Sequence, residues 1–352
     1  MIHDFSPFAI RFYDNFGVRW YGLAYLGGFI VAFFLIRWLA ARQRTELNSE
    51  SIGDLITYGA VGTLVGGRLG YCLFYSPDLF GKFKESFPYW GVLAVNEGGM
   101  ASHGGMIGLV IACWLFARKN NIHFLYILDV VTVVGPIGVF FGRIANFING
   151  ELLGRPADPN FPLAVKFPQE ILQWPQSDFS KLGEISGLIE KIGVGKDQWF
   201  AWIDKYRLDS SARENVYLTL TKLIDEIQKG RTELRDELGS FLVTRHPSQL
   251  YAAVGEGLFL FGLLFLIWRT PRKPGFVAAT FMIAYAFVRI LDEQFRLPDA
   301  AIGYQLFGLT RGQWLSIALL VNGLFFMFWW GRANTKVVNG WGQVYSIKLN
   351  RK

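Results

Sequence analysis

Charged and amide side chains are concentrated where one of the long apolar runs of this sequence ends. The stretch at residues 142–156 reads Gly-Arg-Ile-Ala-Asn-Phe-Ile-Asn-Gly-Glu-Leu-Leu-Gly-Arg-Pro. Its polar residues are Arg143, Asn146, Asn149, Glu151 and Arg155. Such groups are costly at a membrane boundary, and they are tolerated there when they pair with one another or face a substrate. The stretch therefore predicts either an internal polar network or a site for a polar substrate.

Arg68 and His103 interrupt two earlier apolar runs, and each has glycines beside it. Arg68 follows Gly66 and Gly67, which allow neighbouring helices to approach closely. An intramembrane cation is either paired within the protein or bound to a substrate, and the sequence leaves both open for Arg68. The glycines around His103 suit the close approach of a ligand, and an imidazole with the unperturbed pKa of about 6.5 can transfer protons near neutral pH. We therefore interpret His103 as a functional residue.

A polar stretch at residues 245–251 leads into the fifth apolar run. A His-Pro pair within it reads as the start of a helix. Helix capping does not explain Arg245, Gln249 and Tyr251, which lie on either side of that pair. Glu256 lies further into the same run, where a carboxylate needs a partner. We include these four residues in the candidate site.

Arg289 and Glu293 lie four residues apart at the end of the sixth apolar run. This spacing suits an ion pair on one face of a helix, and that structural interpretation stands beside a role in substrate binding. A Gly-Gln pair at residues 312–313 precedes the last run and reads as a helix start.

The composition indicates an integral membrane protein. Of the 352 residues, 52% are hydrophobic and 18% are charged, whereas soluble domains are about 25% charged. A net charge of +7 is compatible with binding to nucleic acid, but no basic patch interleaves with aromatic residues in the way such binding requires. Cys72 and Cys113 lie in apolar runs and read as small buried hydrophobes, so we expect no disulfide, metal or cofactor.

Seven apolar runs are long enough, or nearly long enough, to be membrane-spanning helices, which need about 20 residues. They cover residues 20–38, 52–75, 100–117, 124–141, 250–268, 276–291 and 314–330. The sequence before the first run lacks the basic region of a secretory signal, so we expect that run to be retained as a span. Short loops on the side of the C-terminus carry more Lys and Arg than those on the other side. Because positive loops face the cytoplasm, we predict an extracytoplasmic N-terminus and a cytoplasmic C-terminus.

A polar segment at residues 154–245 separates the fourth and fifth runs. Its apolar residues from 216 to 227 recur at helical spacing, which indicates an amphipathic helix within residues 215–238. We predict an all-α polytopic membrane protein with seven transmembrane helices and an extracytoplasmic cap between spans four and five. The expected domains are spans one to four (1–153), the cap (154–245), spans five to seven (246–331) and a short basic cytoplasmic tail (332–352).

This topology brings several polar residues to the extracytoplasmic ends of the spans. They are His103, Arg143, Glu151, Arg245 and Arg289. A cluster with several arginines predicts an anion site, because guanidinium groups bind phosphate in a bidentate manner. In a membrane the available phosphate ester is a phospholipid headgroup. The sequence contains neither a Gly-x-Ser-x-Gly nucleophile turn nor a His-Glu-x-x-His zinc motif.

The stretch at residues 142–154 resembles the signature of the bacterial phosphatidylglycerol–prolipoprotein diacylglyceryl transferase family. The other motifs that resemble this family are, in chain order, Trp20-Tyr21-Gly22, Gly66-Gly67-Arg68-Leu69-Gly70-Tyr71, His103-Gly104-Gly105, Arg245-His246-Pro247-Ser248-Gln249-Leu250-Tyr251 and Phe295-Arg296-Leu297-Pro298-Asp299. They run nearly from end to end. One departure is Ala252, where relatives are expected to carry a carboxylate, and most of residues 156–244 align with no motif.

The resemblance implies transfer of the sn-1,2-diacylglyceryl group of phosphatidylglycerol to the lipobox cysteine of a preprolipoprotein signal peptide, with release of glycerol phosphate. It also implies seven spans, a location in the bacterial inner membrane, and no metal or nucleotide. His103 is the candidate general base, with a positioning role left open, and Arg143 and Arg245 would bind the departing phosphate. The remaining candidate residues for binding the substrate are Tyr21, Arg68, Asn146, Asn149, Glu151, Gly154, Gln249, Tyr251, Glu256, Arg289 and Glu293.

Two other classes of protein fit the intramembrane charges. A transporter for an anionic substrate would explain them, although transporters usually contain repeated halves and this sequence shows none. A lipid-binding protein would need the phosphate site but not His103.

Overall fold

The computed structural model describes residues 1–13, 16–85, 87–95, 98–298 and 303–345. Asp299 and the basic residues beyond position 345, which the sequence analysis placed in a motif and in the tail, lie outside these residues. The fold divides into two compact units. The first comprises Met1–Leu26, Val139–Phe259 and Tyr285–Leu320, and the second comprises Gly27–Gly138, Leu260–Ala284 and Val321–Lys352.

The described chain is mostly helical. In chain order the helices are α1 (Trp20–Ala41), α2 (Ser51–Phe74), α3 (Ser102–Asn120), α4 (Phe124–Asn149), α5 (Trp174–Ser177), α6 (Lys181–Glu184), α7 (Ser186–Lys191), α8 (Lys196–Lys205), α9 (Ser210–Gln228), α10 (Thr232–Gly239), α11 (Ser248–Ala252), α12 (Leu260–Ile267), α13 (Phe276–Asp292) and α14 (Arg311–Arg332). Among these, α1, α4, the Ser248–Ile267 segment and α14 are long and apolar enough to cross a membrane.

Helix α4 is two turns longer than its apolar run predicts. It continues past residue 141 to Asn149, so that Arg143, Asn146 and Asn149 lie in its last two turns. The residues between these three are mostly apolar, so apolar residues continue at helical spacing to the end of α4. The helix ends where Gly150 adopts a φ of +66°, a left-handed conformation that glycine reaches without steric cost.

The fifth apolar run contains a π-helical turn that the sequence analysis did not predict. Residues Ala253–Phe259 form this turn between α11 and α12, and it carries Glu256. Two glycines in the turn lie against neighbouring helices of the first unit. A Cβ on Gly257 would be 2.6 Å from the Phe140 Cβ, and one on Gly255 would be 3.0 Å from Val288. A π-turn widens the helix locally, and such turns occur frequently at functional sites.

Helices α2 and α3 of the second unit pack backbone against backbone, as the glycines beside Arg68 predict. Gly62, Gly66 and Gly70 recur every fourth residue on α2 and face Gly104 and Gly108 on α3. A Cβ on Gly66 would be 2.8 Å from the Gly108 Cα, and one on Gly70 would be 2.9 Å from the Gly104 Cα. Spacing small residues four apart is a common way for membrane helices to approach closely. The beginning of α3, which carries His103, is therefore held by backbone contact.

The core of the second unit contains Ile36, Phe116, Tyr126 and Trp268 among its buried residues. The carboxylate of Asp129 is also buried there, and it accepts hydrogen bonds from the backbone nitrogens of Gly275 and Ala278 at 2.8 and 2.7 Å. A carboxylate at this position satisfies backbone donors at the start of α13 and complements the helix dipole.

Helices α5 to α10 of the first unit enclose a separate apolar core around Trp174 and Trp199. The predicted amphipathic face is confirmed, since its five apolar residues from Val216 to Ile227 are buried on α9. The segment at residues 215–238 is not one helix, however. It divides into α9 and α10 at Gly230, which has a φ of +100°.

A β-hairpin precedes α1 and is the part that an all-α prediction missed. Strand β1 (Phe8–Tyr13) pairs antiparallel with β2 (Phe16–Arg19), with Phe8 opposite Arg19 and Tyr13 opposite Phe16. Both strands are short and rich in aromatic and β-branched residues, which favour extended structure.

His3 is a buried residue of the N-terminal segment that the sequence analysis did not consider. Its Nε2 donates a hydrogen bond to the Phe147 carbonyl at 2.8 Å, and its ring contacts Phe5, Phe147 and Phe167. The His3 backbone nitrogen also donates to the Lys166 carbonyl at 2.8 Å. His3 therefore connects the last turns of α4 to the segment at residues 164–167.

We expect acid to destabilise the first unit through His3. Burial lowers the pKa of His3 from 6.5 to about 4, because it penalises the charged ring. Above pH 6.5 the ring is neutral in the folded and unfolded chain alike. Below pH 6.5 the unfolded chain takes up a proton that the folded chain does not, so the free energy of unfolding should fall by about 2 kcal/mol at pH 5. Thermal unfolding in detergent at pH 7.5 and 5.0 measures this loss.

The control is His3→Phe, which keeps an aromatic ring at this position but cannot take up a proton. This variant should unfold at a lower temperature at pH 7.5, because the Phe147 carbonyl loses its donor. Between pH 7.5 and 5.0 it should lose less stability than the unaltered chain. An equal loss in the two proteins would show that His3 does not carry the acid sensitivity.

Candidate active site

Glu256 is the centre of a buried ion-pair network in the first unit. Arg143 donates to its Oε2 through Nε at 3.0 Å and through Nη2 at 2.7 Å. The Nε of Arg289 lies 3.6 Å from its Oε1, and the Tyr285 hydroxyl donates to Oε2 at 3.4 Å. The Glu256 side chain is 0% exposed. The two arginines provide the partners that this carboxylate was predicted to need.

Arg289 is surrounded by carboxylates. Its Nη1 donates to Asp292 at 2.7 Å and its Nη2 to Glu293, while its Nε faces Glu256. The predicted pair of Arg289 with Glu293 is therefore present, and Asp292 is an additional member. All three carboxylates are buried. The network contains two guanidinium groups and three carboxylates. Each of the three nitrogens of Arg289 faces a different carboxylate.

Thr310 connects this network to the start of α14. Its hydroxyl donates to Glu293 Oε2 at 2.9 Å and accepts from the Gln313 backbone nitrogen at 3.2 Å. The Gln313 side chain in turn accepts from the Thr310 backbone nitrogen at 2.9 Å. These reciprocal bonds form a capping box, so the predicted helix start is confirmed. Gly312 lies against the network, because a Cβ there would be 2.9 Å from the Glu293 carboxyl carbon.

A second polar cluster in the first unit joins α1 to the end of α4. The Tyr21 hydroxyl donates to Glu151 Oε2 at 2.5 Å and accepts from the Asn146 side chain. Asn146 and Asn149 also point their side-chain nitrogens at Glu151, at 3.4 and 3.5 Å. Gln249 donates to the Glu151 carbonyl at 2.5 Å. These contacts hold the turn after α4 in place.

Arg245 pairs with Glu170 rather than with a member of either cluster. Its Nε donates to Glu170 Oε2 at 2.7 Å and its Nη1 to the Gly154 carbonyl at 3.0 Å. Gly154 itself lies directly against the His246 carbonyl and leaves no room for a side chain. Arg245 therefore connects the turn after α4 to the segment that begins at Pro168. Tyr251 lies nearby, with its hydroxyl 3.2 Å from His246 Nδ1.

Arg68 and His103 belong to the second unit. The Arg68 guanidinium is buried and donates to four backbone carbonyls, at 2.5 to 3.0 Å, which are those of Gly91, Val92, Gly98 and Gly99. It therefore organises the loop before α3. His103 is exposed at the start of α3, and no other described residue makes a hydrogen bond or ion pair with its ring.

Comparison with known proteins assigns the family. The family model described as prolipoprotein diacylglyceryl transferase matches residues 7–329. The chain belongs to the prolipoprotein diacylglyceryl transferase family. It is similar over the full length of both chains, at 61% identity, to a phosphatidylglycerol–prolipoprotein diacylglyceryl transferase of Bdellovibrio bacteriovorus.

More distant members of the family also match nearly the whole chain. A protein of the same name from Neisseria gonorrhoeae is 35% identical over 92% of this chain and 94% of its own length. One from Burkholderia orbicola is 37% identical over 94% of this chain and 95% of its own. The family assignment and the apolar helices together identify the chain as a multi-pass protein of the inner membrane.

The structure of this transferase-family member brings the predicted residues together in groups. Arg143, Glu256, Arg289 and Glu293 share one network, and Tyr21, Asn146, Asn149 and Glu151 share another. Four of the partners were not predicted from the sequence, namely Tyr285, Asp292 and Thr310 in the Glu256 network and Glu170 beside Arg245. The Thr-x-x-Gln spacing at residues 310–313 is a capping-box pattern that could have directed attention to Thr310. Nothing in the sequence pairs Glu170 with Arg245.

We expect Thr310→Val to weaken the Glu256 network while leaving the side chain's shape nearly unchanged. The variant loses the hydroxyl that donates to Glu293 and accepts from Gln313. It should lower the free energy of unfolding by about 1–3 kcal/mol, the usual effect of leaving a buried acceptor unpaired. It should also lower the catalytic rate. Thr310→Ser, which keeps the hydroxyl, is the matched control. Its free energy of unfolding and its catalytic rate should be close to those of the unaltered chain. If valine and serine have the same effect, the hydroxyl does not support the network.

Proposed function

We propose that this chain transfers the sn-1,2-diacylglyceryl group of phosphatidylglycerol to the lipobox cysteine thiol of a preprolipoprotein. The reaction forms a thioether and releases glycerol phosphate. The observation that carries this proposal is the 61% identity, over the full length, to a relative that is named for this activity. The buried arginine network and the predicted anion site agree with a phospholipid substrate.

The chemistry is a displacement at the terminal glycerol carbon. A bond forms between the cysteine sulfur and this carbon while the bond from the carbon to the phosphate oxygen breaks. The thiol must lose its proton, because the thiolate is the nucleophile. Negative charge that remains on the departing glycerol phosphate must be stabilised. These are the two requirements that the candidate residues have to meet.

Arg143 is the strongest candidate for binding the phosphate. Its Nε and Nη2 are held by Glu256, and Nη1 lies outside that ion pair. Arg289 is enclosed by carboxylates through all three nitrogens, and we therefore propose that it positions Glu256 and Arg143. The contacts of Arg245 with Glu170 and Gly154 favour a role in holding the turn after α4 over direct binding of phosphate.

The polar cluster around Glu151 is proposed to bind the headgroup of the lipid. Tyr21, Asn146 and Asn149 carry hydrogen-bonding groups that suit the hydroxyls of a glycerol headgroup. Gln249 supports this cluster through the Glu151 carbonyl, and Gly154 and Tyr251 are proposed to support it from beside His246. Arg68 supports the loop that precedes His103. His103 is proposed to take the proton of the thiol, because its exposed ring is not committed to another described residue.

We further propose seven membrane spans, with the N-terminus extracytoplasmic and the C-terminus cytoplasmic. A helix occupies each of the seven apolar runs, and the loop charges favour this orientation. Residues 154–245, with their own apolar core, would form an extracytoplasmic cap between spans four and five. Residues 1–153 and 246–331 would carry the spans, and residues 332–352 would form the cytoplasmic tail.

The activity itself is tested by incubating the purified chain with phosphatidylglycerol and a lipobox peptide and then weighing the peptide. The expected result is a mass gain of one diacylglyceryl unit on the cysteine. A transporter or a lipid-binding protein would give no gain, and that result under all conditions would refute the proposed function.

We expect Arg143→Ala to lower the catalytic rate in this assay by about 10²- to 10³-fold, the usual effect of removing a group that stabilises developing negative charge. Arg207→Ala is the matched control, because Arg207 is an exposed arginine of the predicted cap and makes none of the contacts of the two polar clusters. The control should retain the full rate. A near-normal rate in Arg143→Ala would remove Arg143 from the phosphate site.

We expect the defect of His103→Gln to depend on pH. A general base contributes about 10²- to 10⁴-fold when the thiol is protonated. A thiol with a pKa of about 8.5 ionises without help at higher pH, so the defect should be large at pH 6.5 and smaller at pH 9. Rates measured across this range test the assignment. A defect that is the same at every pH would assign His103 a positioning role instead.

A further inference from the structure

A cavity in the second unit lies outside the candidate active site and has an unusual lining. It has a volume of about 230 Å³ and lies between the loop before α13 and the end of α14. Arg272 and Lys273 line one part of it, and the rest of the lining includes the apolar side chains of Phe276, Met327, Trp330 and Val337. None of these residues belongs to the networks of Glu256 or Glu151. We propose that this cavity binds an anionic phospholipid.

The two segments that form the cavity carry charge of one sign. The segments at residues 269–276 and 327–345, which form it, contain five cationic residues and no carboxylate. The five are Arg269, Arg272, Lys273, Arg332 and Lys336. The nearby carboxylate of Asp129 is occupied by the backbone nitrogens of Gly275 and Ala278. The cavity therefore lies in a positive field that attracts an anion, and no neighbouring carboxylate of these segments neutralises it.

The two cations in the lining have hydrogen-bonding capacity to offer a phosphate. In the part of the chain that the structure describes, no oxygen accepts a hydrogen bond from the Arg272 guanidinium, which lies 5.0 Å from the centre of the Phe276 ring. Lys273 donates to the carbonyls of Gly331 and Ala333, at 2.7 and 3.0 Å, which leaves its third proton for a ligand. A guanidinium beside an ammonium is a suitable pair for a phosphate monoester or diester.

The backbone holds these cations in place. Arg272 and Val338 exchange backbone hydrogen bonds at 3.0 and 2.9 Å, which fixes the loop against the segment after α14. Trp330 packs against Gly275, where a Cβ would be 2.6 Å from its ring. The cavity is therefore a built feature of the second unit and not a gap between loosely placed side chains.

The apolar lining selects an amphiphile over a free anion. Phe276 begins α13, and Met327 and Trp330 lie in the last two turns of α14, which is long and apolar enough to cross a membrane, so apolar side chains continue from the cationic loop along these helices. A ligand with phosphate at the loop would place hydrocarbon against them. Phospholipids combine these two parts, and basic residues next to the ends of spans attract anionic lipid with about 1 kcal/mol per cation.

The test measures binding of phosphatidic acid to the full purified chain in detergent, with native mass spectrometry as the readout. Phosphatidic acid serves because it lacks the glycerol headgroup of the proposed donor lipid. We expect the chain to retain one lipid. Its binding affinity should fall about fivefold in Arg272→Gln or Lys273→Gln, and about thirtyfold in the double variant. Arg118→Gln is the matched control and should bind normally, since Arg118, like Arg272, lies against an aromatic ring near a helix end but does not line the cavity.

Two further ligands separate the possible sources of the anion. Phosphatidylcholine should not occupy the cavity, because its headgroup has no net charge. Inorganic phosphate should not compete at the same concentration, because it lacks hydrocarbon. Any one of four results would overturn the proposal: competition by inorganic phosphate, equal binding of phosphatidylcholine, an equal loss of lipid affinity in Arg118→Gln, or unchanged binding in the double variant. Retained diacylglyceryl transfer by Arg272→Gln, whose altered side chain is exposed, shows that the variant is folded.

Discussion

The burial of one carboxylate, that of Glu256, constrains much of the first unit. A charge out of contact with water has to be paired, and the loss of one partner from a buried pair costs about 3–5 kcal/mol. Glu256 is paired with Arg143 and Arg289. Arg289 is itself buried and is balanced by Asp292 and Glu293. Each buried group therefore needs the next one as its partner. The series ends at the Thr310 hydroxyl, which donates to Glu293 and caps α14.

This series of pairing requirements explains why polar residues recur at the ends of several apolar runs. Arg143 lies near the end of α4, Arg289 near the end of α13, and Thr310 just before α14. Arg143 and Arg289 were visible in the sequence as interruptions of an apolar pattern, whereas Thr310 was not. The physical reason is the same for all three residues, because each group in the network is the hydrogen-bonding or ion-pair partner of the one before it. A network of this kind is rigid, and rigidity suits a group that must meet a developing charge.

The helices could largely be predicted from the sequence, but their irregularities could not. Apolar runs of sufficient length specify helix because backbone groups in a membrane have to be satisfied internally. The end of α4 was predicted too early because Arg143 and Asn146 break the apolar pattern without breaking the helix. The π-turn around Glu256 depends on Gly255 and Gly257 meeting particular neighbours, which is tertiary information. The β-hairpin was missed because its strands are only six and four residues long.

The candidate site shows a similar division. The types of residue, such as arginine, amide and carboxylate, were evident because they are rare and costly in apolar surroundings. Their partners were evident only where the two members lie four residues apart in the chain, as with Arg289 and Glu293. Arg245 and Glu170 are 75 residues apart, and no spacing rule links them. The sequence therefore indicated which residues need partners and left open which partners they have.

The contacts of the N-terminal segment have a consequence for the order in which the protein can be assembled. His3 bonds with Phe147 and Lys166, and Asp4 pairs with Arg235 in α10 at 3.0 Å. At a synthesis rate of about 5–20 residues per second, the partners of His3 are made roughly 10–30 s after it. During that interval the hydrogen bonds of His3 to Phe147 and Lys166 cannot form. The portion of the first unit that is made earliest therefore cannot reach its final place until partners more than 140 residues later in the chain have been made.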